Sequence, residues 1–291
     1  MKITNKTGLP QSVVEAVLND PYDRGESDIS VTQLVGPPQI RRLTEQHWDE
    51  LEEDAIDRIW ALLGQAVHAV LERAAPSELT ERRLFATVNG RTISGQVDHI
   101  GLKAKKLSDY KVTSAWTIVY GMRPEWTAQL NCYAYLCRVN GFEVNDLEIV
   151  AFYRDWTQPQ AARSADYPQT QVGQIPIGLW PQDFAQQYIE QRLASHFGAE
   201  DVSCTDQERW AKVAKWAVMK RGRKSALRVL DSADEATAWA LANCKIDPDY
   251  YLQERPREYV RCERYCLVAN VCPQWALELE RRKELGDVGL D

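Results

Sequence analysis

Apolar positions recur at three- and four-residue steps in one long segment, residues 43–75. The recurring residues are Leu51, Ile56, Ile59, Leu62, Leu63, Val67, Val70 and Leu71. This spacing puts them on one face of a helix, so the segment is predicted to be helical. The residues before it are rich in turn formers and end at Gly36-Pro37-Pro38.

The pattern changes to alternation over residues 84–102, which predicts β-strands. Asn89-Gly90 divides this stretch, and this dipeptide is a strong hairpin signal because both residues accept a positive φ. Residues 107–112 predict a third strand.

Further elements follow toward the carboxyl terminus. They are a helix over 124–140 that starts at Pro124 and stops before Gly141, a strand over 146–156, an edge strand over 170–180 and a helix over 181–197. The remainder is predicted to be mostly helical. This order implies an α/β fold whose central sheet contains strands of mixed direction.

Length, composition and net charge restrict the class of protein. The chain has 291 residues, 44% of them hydrophobic, which is enough for one large core or two small ones. Its net charge of −7 argues weakly against a basic surface but allows a local basic groove. No apolar run approaches the roughly 18 residues of a membrane span, and the polar start lacks a signal region. We therefore expect a cytoplasmic protein with reduced cysteines and no membrane partner.

Two carboxylates stand out within the predicted sheet. Asp98 and Asp109 lie on neighbouring strands, where their repulsion and desolvation would be costly. A divalent cation such as Mg²⁺ would relieve both costs. Lys111 lies two residues beyond Asp109 and so points to the same face, where it could act on water or phosphate. The alternative is a surface Asp–Lys pair on an edge strand.

Four short segments, taken together, resemble a known family. "GQVD" (95–98) and "DYK" (109–111) are similar to the core of the PD-(D/E)xK nuclease superfamily. "GQAVHAVLE" (64–72) and "QLNCY" (129–133) are similar to motifs of its RecB-like branch, which includes the AddB nuclease domain and the CRISPR-adaptation exonucleases. The segments occur in the order expected for that branch.

Two positions depart from the family pattern. Val97 stands where the superfamily has its naming proline, and Ala69 stands where a glutamate often follows the histidine. Neither change implies the loss of a metal.

The resemblance implies a role for each matching residue. The metal ligands would be His68, Asp98, Asp109 and the Tyr110 backbone carbonyl, with Lys111 as the catalytic lysine. Gln129 and Tyr133, one helical turn apart, would face the DNA. The metal would be Mg²⁺ or Mn²⁺, and the imidazole ligand favours Mn²⁺ somewhat.

The resemblance also implies fold and function. It predicts a restriction-endonuclease-like core with a mixed central sheet and helical additions at both ends. Residues 1–291 would form a single domain, divided into an N-terminal helical region (1–60), the core (61–180) and a helical C-terminal region (181–291). The implied reaction is metal-dependent hydrolysis of DNA, most simply by an exonuclease acting on ends or single strands in recombination or repair. A phage or prophage origin and a recombination or single-strand-binding partner would agree with this role.

A basic stretch lies near the carboxyl terminus. Residues 209–230 hold eight Lys and Arg, no acid and two interleaved tryptophans. Lysine and arginine supply non-specific DNA affinity, and aromatic rings stack on exposed bases. The candidate DNA contacts are Lys220, Arg221, Arg223 and Lys224. The alternative is a solvated helix whose tryptophans pack inward.

Three cysteines near the end, Cys262, Cys266 and Cys272, are spaced C-x3-C-x5-C. They resemble the cysteines that hold a four-iron, four-sulfur (4Fe–4S) cluster in several RecB-like nucleases, where the fourth ligand is an amino-proximal cysteine. No cysteine precedes residue 132 here, so the fourth ligand would be Cys244 or, failing that, Cys204. Zn²⁺ and unligated thiols are the alternatives. Cys132 and Cys137 are expected to be buried small apolar residues.

Two other functions stay open from the sequence. One is a site-specific or structure-specific endonuclease built on the same core. The other is a DNA-binding module without catalysis. The sequence decides neither the polarity of digestion nor the oligomeric state.

Overall fold

A computed structural model describes residues 1–19, 25–74, 79–199, 202–244 and 249–284. The chain divides into two compact units, Met1–Val202 and Ser203–Asp291. The sequence placed the start of the C-terminal region earlier, at residue 181.

The first unit is a mixed α/β structure. Its helices are α1 (Gln11–Leu18), α2 (Val31–Val35), α3 (Pro38–Gln46), α4 (Ile59–Ala74), α5 (Trp116–Val119), α6 (Pro124–Val139), α7 (Gln158–Arg163) and α8 (Gln182–Phe197), with a 3₁₀ turn at Ala55–Arg58. Its strands are β1 (Lys2–Thr4), β2 (Ile29–Ser30), β3 (Glu52–Asp54), β4 (Leu79–Val88), β5 (Arg91–Gly101), β6 (Lys106–Thr113), β7 (Asp146–Tyr153) and β8 (Val172–Ile177).

The predicted hairpin is confirmed as β4 and β5. Asn89 and Gly90 form its two-residue turn with φ values of 50° and 74°, as this type of turn requires. The turn fixes the antiparallel register from Val88↔Arg91 onward.

The central sheet is mixed, as predicted. One edge of β5 pairs with β4, and its other edge is shared by β2, parallel at Ile93 and Ser94, and β6, antiparallel at 99–101. Strand β6 then runs parallel to β7, which pairs antiparallel with β8. The predicted edge position of β8 is thereby confirmed.

Helix α6 forms much of the core. It starts at Pro124 and ends before Gly141, as predicted, and Gly141 has a φ of 84°. The helix packs against the sheet and also contacts α2 and α8, so most of its residues are buried. The close approach depends on Gly95 of β5, where a Cβ atom would lie 2.6 Å from the Tyr133 ring.

The predicted helix over residues 43–75 is wrong as one continuous element. Strand β3 interrupts it and pairs in parallel with β1. The acidic run of β3 lies beside Lys2 and Lys6, both paired with Glu52, and Asp54 accepts a hydrogen bond from the Ile56 amide at 3.2 Å. Long-range charge and capping therefore override the local helical period. Helix α4 does form, but none of its residues is buried.

The second unit contains short strands and helices. Its strands are β9 (Ala211–Lys212), β10 (Lys215–Lys220), β11 (Arg228–Leu230), β12 (Tyr250–Arg255) and β13 (Glu258–Tyr259). Its helices are α9 (Ala233–Asn243), α10 (Val260–Arg264) and α11 (Pro273–Glu284), with a 3₁₀ turn at Ala269–Val271. Across the described part of the chain, no helix has both the length and the apolar character needed to span a membrane.

The predicted helical character of the C-terminal region is wrong for the basic stretch, which forms β9, β10 and β11. Strand β10 pairs antiparallel with β11 and with β12, so that Val218 lies opposite Leu252. Helix α9 packs on these strands, and Ala217, Val218 and Met219 are buried. The pairing with β12 joins residues that are distant in sequence, so no local pattern revealed it.

Candidate functional site

The candidate site lies where β5 and β6 stop pairing. Their ladder ends at His99↔Ser108, and Asp98 and Asp109 occupy the next position on each strand. At that position the Tyr110 amide donates to Asp98 Oδ2 at 2.7 Å instead of continuing the ladder. We call this region, where the two strands cease to pair, the fork.

Both carboxylates of the fork are buried, Asp98 with 8% and Asp109 with 3% of its surface exposed. Lys111 lies on the same face of β6 as Asp109, as predicted, with its Nζ 2.7 Å from Asp109 Oδ2. This oxygen is buried and accepts no hydrogen bond of regular geometry from the described residues. An oxygen in this state is a ready ligand for a cation.

His68 reaches the fork from α4. Its Nδ1 lies 3.0 Å from Glu81 Oε1 and 3.5 Å from Asp98 Oδ1. Its Nε2 lies 3.1 Å from the Tyr110 carbonyl oxygen. The structure therefore brings the predicted ligands His68, Asp98 and Tyr110 together.

Glu81 is a site residue that the sequence reasoning missed. It has a φ of 47° within β4, between the pairs Thr80↔His99 and Arg82↔Val97, and so lies opposite Asp98. Its Oε2 accepts a hydrogen bond of 2.7 Å from Gln96. The sequence could have predicted this position. The Asn-Gly turn fixes the hairpin register, and in that register Glu81 lies across from Asp98.

The charges at the fork act on one another. Burial and the charge of Asp109 raise the pKa of Asp98 to about 7. Burial opposes the protonation of His68, but Glu81 and Asp98 outweigh it and raise the pKa of His68 to about 9. Burial likewise opposes the charge of Lys111, but Asp109 and Asp98 hold its pKa above the ordinary value. Lys111 is therefore a cation at neutral pH.

The donor set fits a divalent cation. Ligand atoms of His68, Glu81 and Asp98 all lie within 4.8 Å of one another, and Asp109 adds a fourth group across the fork. Carboxylate and carbonyl oxygens suit Mg²⁺ and Mn²⁺, and an imidazole suits a transition metal. The site contains three carboxyl groups and only two basic side chains, those of His68 and Lys111. This excess of acidic groups favours the binding of an additional positive charge.

Gln129 and Tyr133 lie behind the carboxylates on α6. Gln129 Nε2 donates to the Tyr133 hydroxyl at 2.9 Å and to Thr32 Oγ1 at 3.3 Å. Burial and the charges of Asp109 and Asp98 raise the pKa of the Tyr133 phenol. Tyr133 is buried and Gln129 is partly exposed, so Gln129 is the member of the pair that a ligand could reach.

The predicted basic contacts belong to the second unit. Lys220 ends β10, and its ammonium lies 4.8 Å from the centre of the Tyr250 ring. Arg221, Arg223 and Lys224 lie in the exposed turn between β10 and β11. The turn therefore presents several cations to solvent.

The cysteines fall into two groups. Cys132 and Cys137 are buried in α6, which confirms their predicted character. The remaining cysteines are partly buried residues of the second unit that form no disulfide, namely Cys204, Cys244, Cys262, Cys266 and Cys272.

Comparison with known proteins gives little. No protein-family model and no curated protein matches the chain. Among solved structures, the crystal structure of SSO0001 is similar at 19% identity and a TM-score of 0.45, over 68% of this chain and 88% of the other. A similarity at this level defines neither a family nor a function.

Proposed function

We propose that this chain is a divalent-metal-dependent DNA nuclease with a restriction-endonuclease-like core. The observation that carries the proposal is the fork, where Asp98, Asp109 and Lys111 converge with His68 and Glu81 at the end of a strand ladder. A buried cluster of acids around one lysine suits phosphodiester hydrolysis, in which negative charge develops on phosphate oxygens.

The acids and the histidine would hold the cation. Asp98 and Asp109 would provide carboxylate oxygens, with the Tyr110 carbonyl and His68 as further ligands. When bound, Mg²⁺ or Mn²⁺ would polarise a phosphate oxygen and lower the pKa of water. Glu81 orients the His68 ring through its hydrogen bond to Nδ1, which is the usual role of a carboxylate behind a ligating histidine.

Lys111 would act as a fixed cation and hydrogen-bond donor. Because its pKa is raised, it stays protonated at neutral pH and is unsuited to be a general base. Its ammonium would stabilise charge on the phosphate and help to position the attacking water. The ion pair with Asp109 holds the flexible side chain in place for this role.

The exposed basic turn of the second unit would bind the DNA backbone. Its candidate contacts remain Lys220, Arg221, Arg223 and Lys224, with Gln129 as a contact in the first unit. Binding through phosphates would weaken as salt rises. The resemblance of the motifs favours an exonuclease that acts on DNA ends or single strands in recombination or repair, with a recombination or single-strand-binding protein as partner.

A degradation assay tests this proposal. Purified protein is incubated with Mg²⁺ or Mn²⁺ and linear or closed circular DNA, each single- and double-stranded. We expect linear DNA to be degraded and closed circles to persist. Lys111→Ala should lower the rate by about 10²–10³-fold. Lys106→Ala is the matched control, because Lys106 lies on the same strand but pairs with Glu148 at 2.9 Å.

Each other outcome has a definite meaning. Cleavage of closed circles would favour the endonuclease alternative. DNA binding without degradation of any substrate, with either metal, would favour the non-catalytic module and contradict the proposal.

A further inference from the structure

An aromatic pair, Trp116 and Tyr120, lies on the surface of the first unit just beyond β6. The two rings are stacked, with their centroids 5.6 Å apart and an angle of 20° between their planes. Tyr120 is the outer ring, and 81% of its surface is exposed, against 37% for Trp116. One flat aromatic face is therefore open to solvent, and we call this pair of residues the platform.

Buried contacts hold the platform in position. The Trp116 ring packs edge to face on Tyr167 at a centroid distance of 5.3 Å, and Tyr167 is almost fully buried. The Tyr167 hydroxyl donates to the Asp155 carbonyl at 3.2 Å. The Asp155 carboxylate accepts a hydrogen bond of 2.7 Å from the Ala115 amide, at the start of α5. A ligand would therefore meet a surface that is already ordered, which lowers the entropy cost of binding.

The platform is attached to the strand that carries half of the fork. Thr113, the last residue of β6, lies on the same face as Asp109 and Lys111, because alternate residues of a strand share a face. Its hydroxyl oxygen lies 3.1 Å from that of Thr117 in α5. Trp116 is five residues beyond Lys111, which limits the distance between their Cα atoms to about 18 Å. A stacked DNA strand advances about 3.4 Å per nucleotide, so this limit corresponds to about five nucleotides.

A cation lies at the same end of the sheet. Arg154 directly follows β7, and its amide donates to the Thr113 carbonyl at 2.9 Å. Its guanidinium lies 4.4 Å from the centre of the Trp60 ring, at the start of α4, and both side chains are exposed. The carboxyl ends of β6 and β7 therefore present aromatic surface together with a charge that suits phosphate.

These features fit the unpaired bases of a nucleic acid strand better than they fit another protein. Every base has a π-face that can stack on an aromatic ring, and the adjoining phosphates are bound by cations. In a duplex the bases are stacked on one another, so only a single strand or an opened end offers a free base face. A protein interface buries about 800 Å² on each partner, far more than these rings supply.

We propose that the platform stacks a base of single-stranded DNA and so guides the strand toward the fork, with Arg154 on a neighbouring phosphate. The inference rests on the proposed function, because it takes DNA as the substrate of the fork. It goes further by assigning the preference for single strands to named residues. Tyr120 is a binding residue in this arrangement and takes no part in the chemistry.

The test measures DNA binding in the presence of EDTA, so that neither a metal nor hydrolysis affects the result. Fluorescence anisotropy gives the affinity of the full chain for a labelled single strand and for an abasic strand of the same length. Loss of one base stack in Tyr120→Ala should lower affinity for the normal strand by about 10–100-fold. The abasic strand keeps its phosphates but has no bases, so it should bind the variant and the wild type equally. Tyr120→Phe keeps the ring and should bind like the wild type.

Phe184→Ala is the matched control. Phe184 is also exposed, at 50%, and also contacts a tryptophan, but its ring meets Trp180 edge to face at 88°. This variant should keep the wild-type affinity for both strands. Because Tyr120 is mostly exposed, Tyr120→Ala should leave the urea unfolding curve almost unchanged, which separates lost binding from lost folding.

The outcomes distinguish this inference from the proposed function. Unchanged affinity of Tyr120→Ala for the normal strand would overturn the platform and leave the aromatic pair to a protein partner. An equal loss of affinity for the abasic strand, or a wild-type chain that binds no single strand, would also overturn it. If the base-dependent loss is found in a chain that hydrolyses no DNA with either metal, the platform stands and the nuclease proposal fails.

Discussion

The candidate cation sites of the two units consist of different donor atoms. In the first unit, oxygen and imidazole donors stand on two strands and a helix, and the fork between the strands sets their positions. In the second unit, sulfur donors stand on short helices and connecting turns. Hard oxygen ligands select Mg²⁺ or Mn²⁺, whereas thiolates select softer metals.

The sites also differ in charge before any cation binds. At the fork, the imidazole of His68 takes up a proton and partly compensates Glu81 and Asp98. In the second unit, burial raises the pKa of the Cys204 and Cys266 thiols and so favours their neutral form. The fork is therefore already ordered by its own ion pairs.

The largest expected effect is the loss of DNA hydrolysis in a variant of the fork. Asp98→Asn removes a charged ligand and should lower DNA hydrolysis by about 10³-fold, since a metal contributes several kcal/mol of charge stabilisation. Rates are measured on the variant and on the wild-type protein under the same conditions. An Asp98→Asn enzyme with normal activity would remove the fork from the mechanism.

A smaller effect is expected from Glu81→Gln. Loss of this carboxylate frees the His68 ring and should weaken Mn²⁺ binding by about 10–100-fold in calorimetric titration. Glu148→Gln is the matched control, because the two side chains are similarly exposed, at 16% for Glu81 and 15% for Glu148. Equal Mn²⁺ affinity in both variants would show that Glu81 does not support the site.

The packing behind the fork offers a test of stability. Gly95→Ala would force a Cβ atom against the Tyr133 ring and should cost about 1–3 kcal/mol in urea unfolding. Gly64→Ala is the control, because a Cβ there meets nothing within 4 Å and should stabilise α4 by about 0.5–1 kcal/mol. A Gly95→Ala protein as stable as the wild type would contradict the described contact between β5 and α6.

Metal affinity should also depend on pH. His68 has a pKa of about 9, so below that pH the cation must displace its proton, and affinity should rise with pH. Between pH 7 and 9 the apparent Mn²⁺ dissociation constant should fall about tenfold per unit. Below pH 7 the slope should steepen, because Asp98 also carries a proton. His68→Asn should reduce the slope between pH 8 and 9 but leave part of it nearer pH 7, because loss of the imidazolium charge raises the pKa of Asp98. A wild-type affinity independent of pH would contradict the assigned ligand.

The first unit was largely predictable because its signals are local. The Asn89-Gly90 turn specified the hairpin, Pro124 and Gly141 bounded α6, and alternation marked β7. The pairing of Asp98 and Asp109 followed from adjacent strands. Glu81 could have been predicted from the hairpin register. Nothing else in the sequence of β4 distinguishes it from the other polar residues of that strand.

What could not be predicted depends on distant partners. Strand β10 forms with β12, and its buried residues Ala217, Val218 and Met219 are consecutive, so no alternation marks the strand. Strand β3 forms because β1 supplies both a pairing edge and opposite charges.

The most direct test of the central claim is to locate the metal. Crystals soaked in Mn²⁺ are measured at wavelengths on either side of the manganese absorption edge. We predict an anomalous peak at the fork, within coordination distance of Asp98, Asp109 and His68. A protein that cleaves DNA in Mn²⁺ yet shows no peak there, or shows its peak elsewhere, would contradict the account.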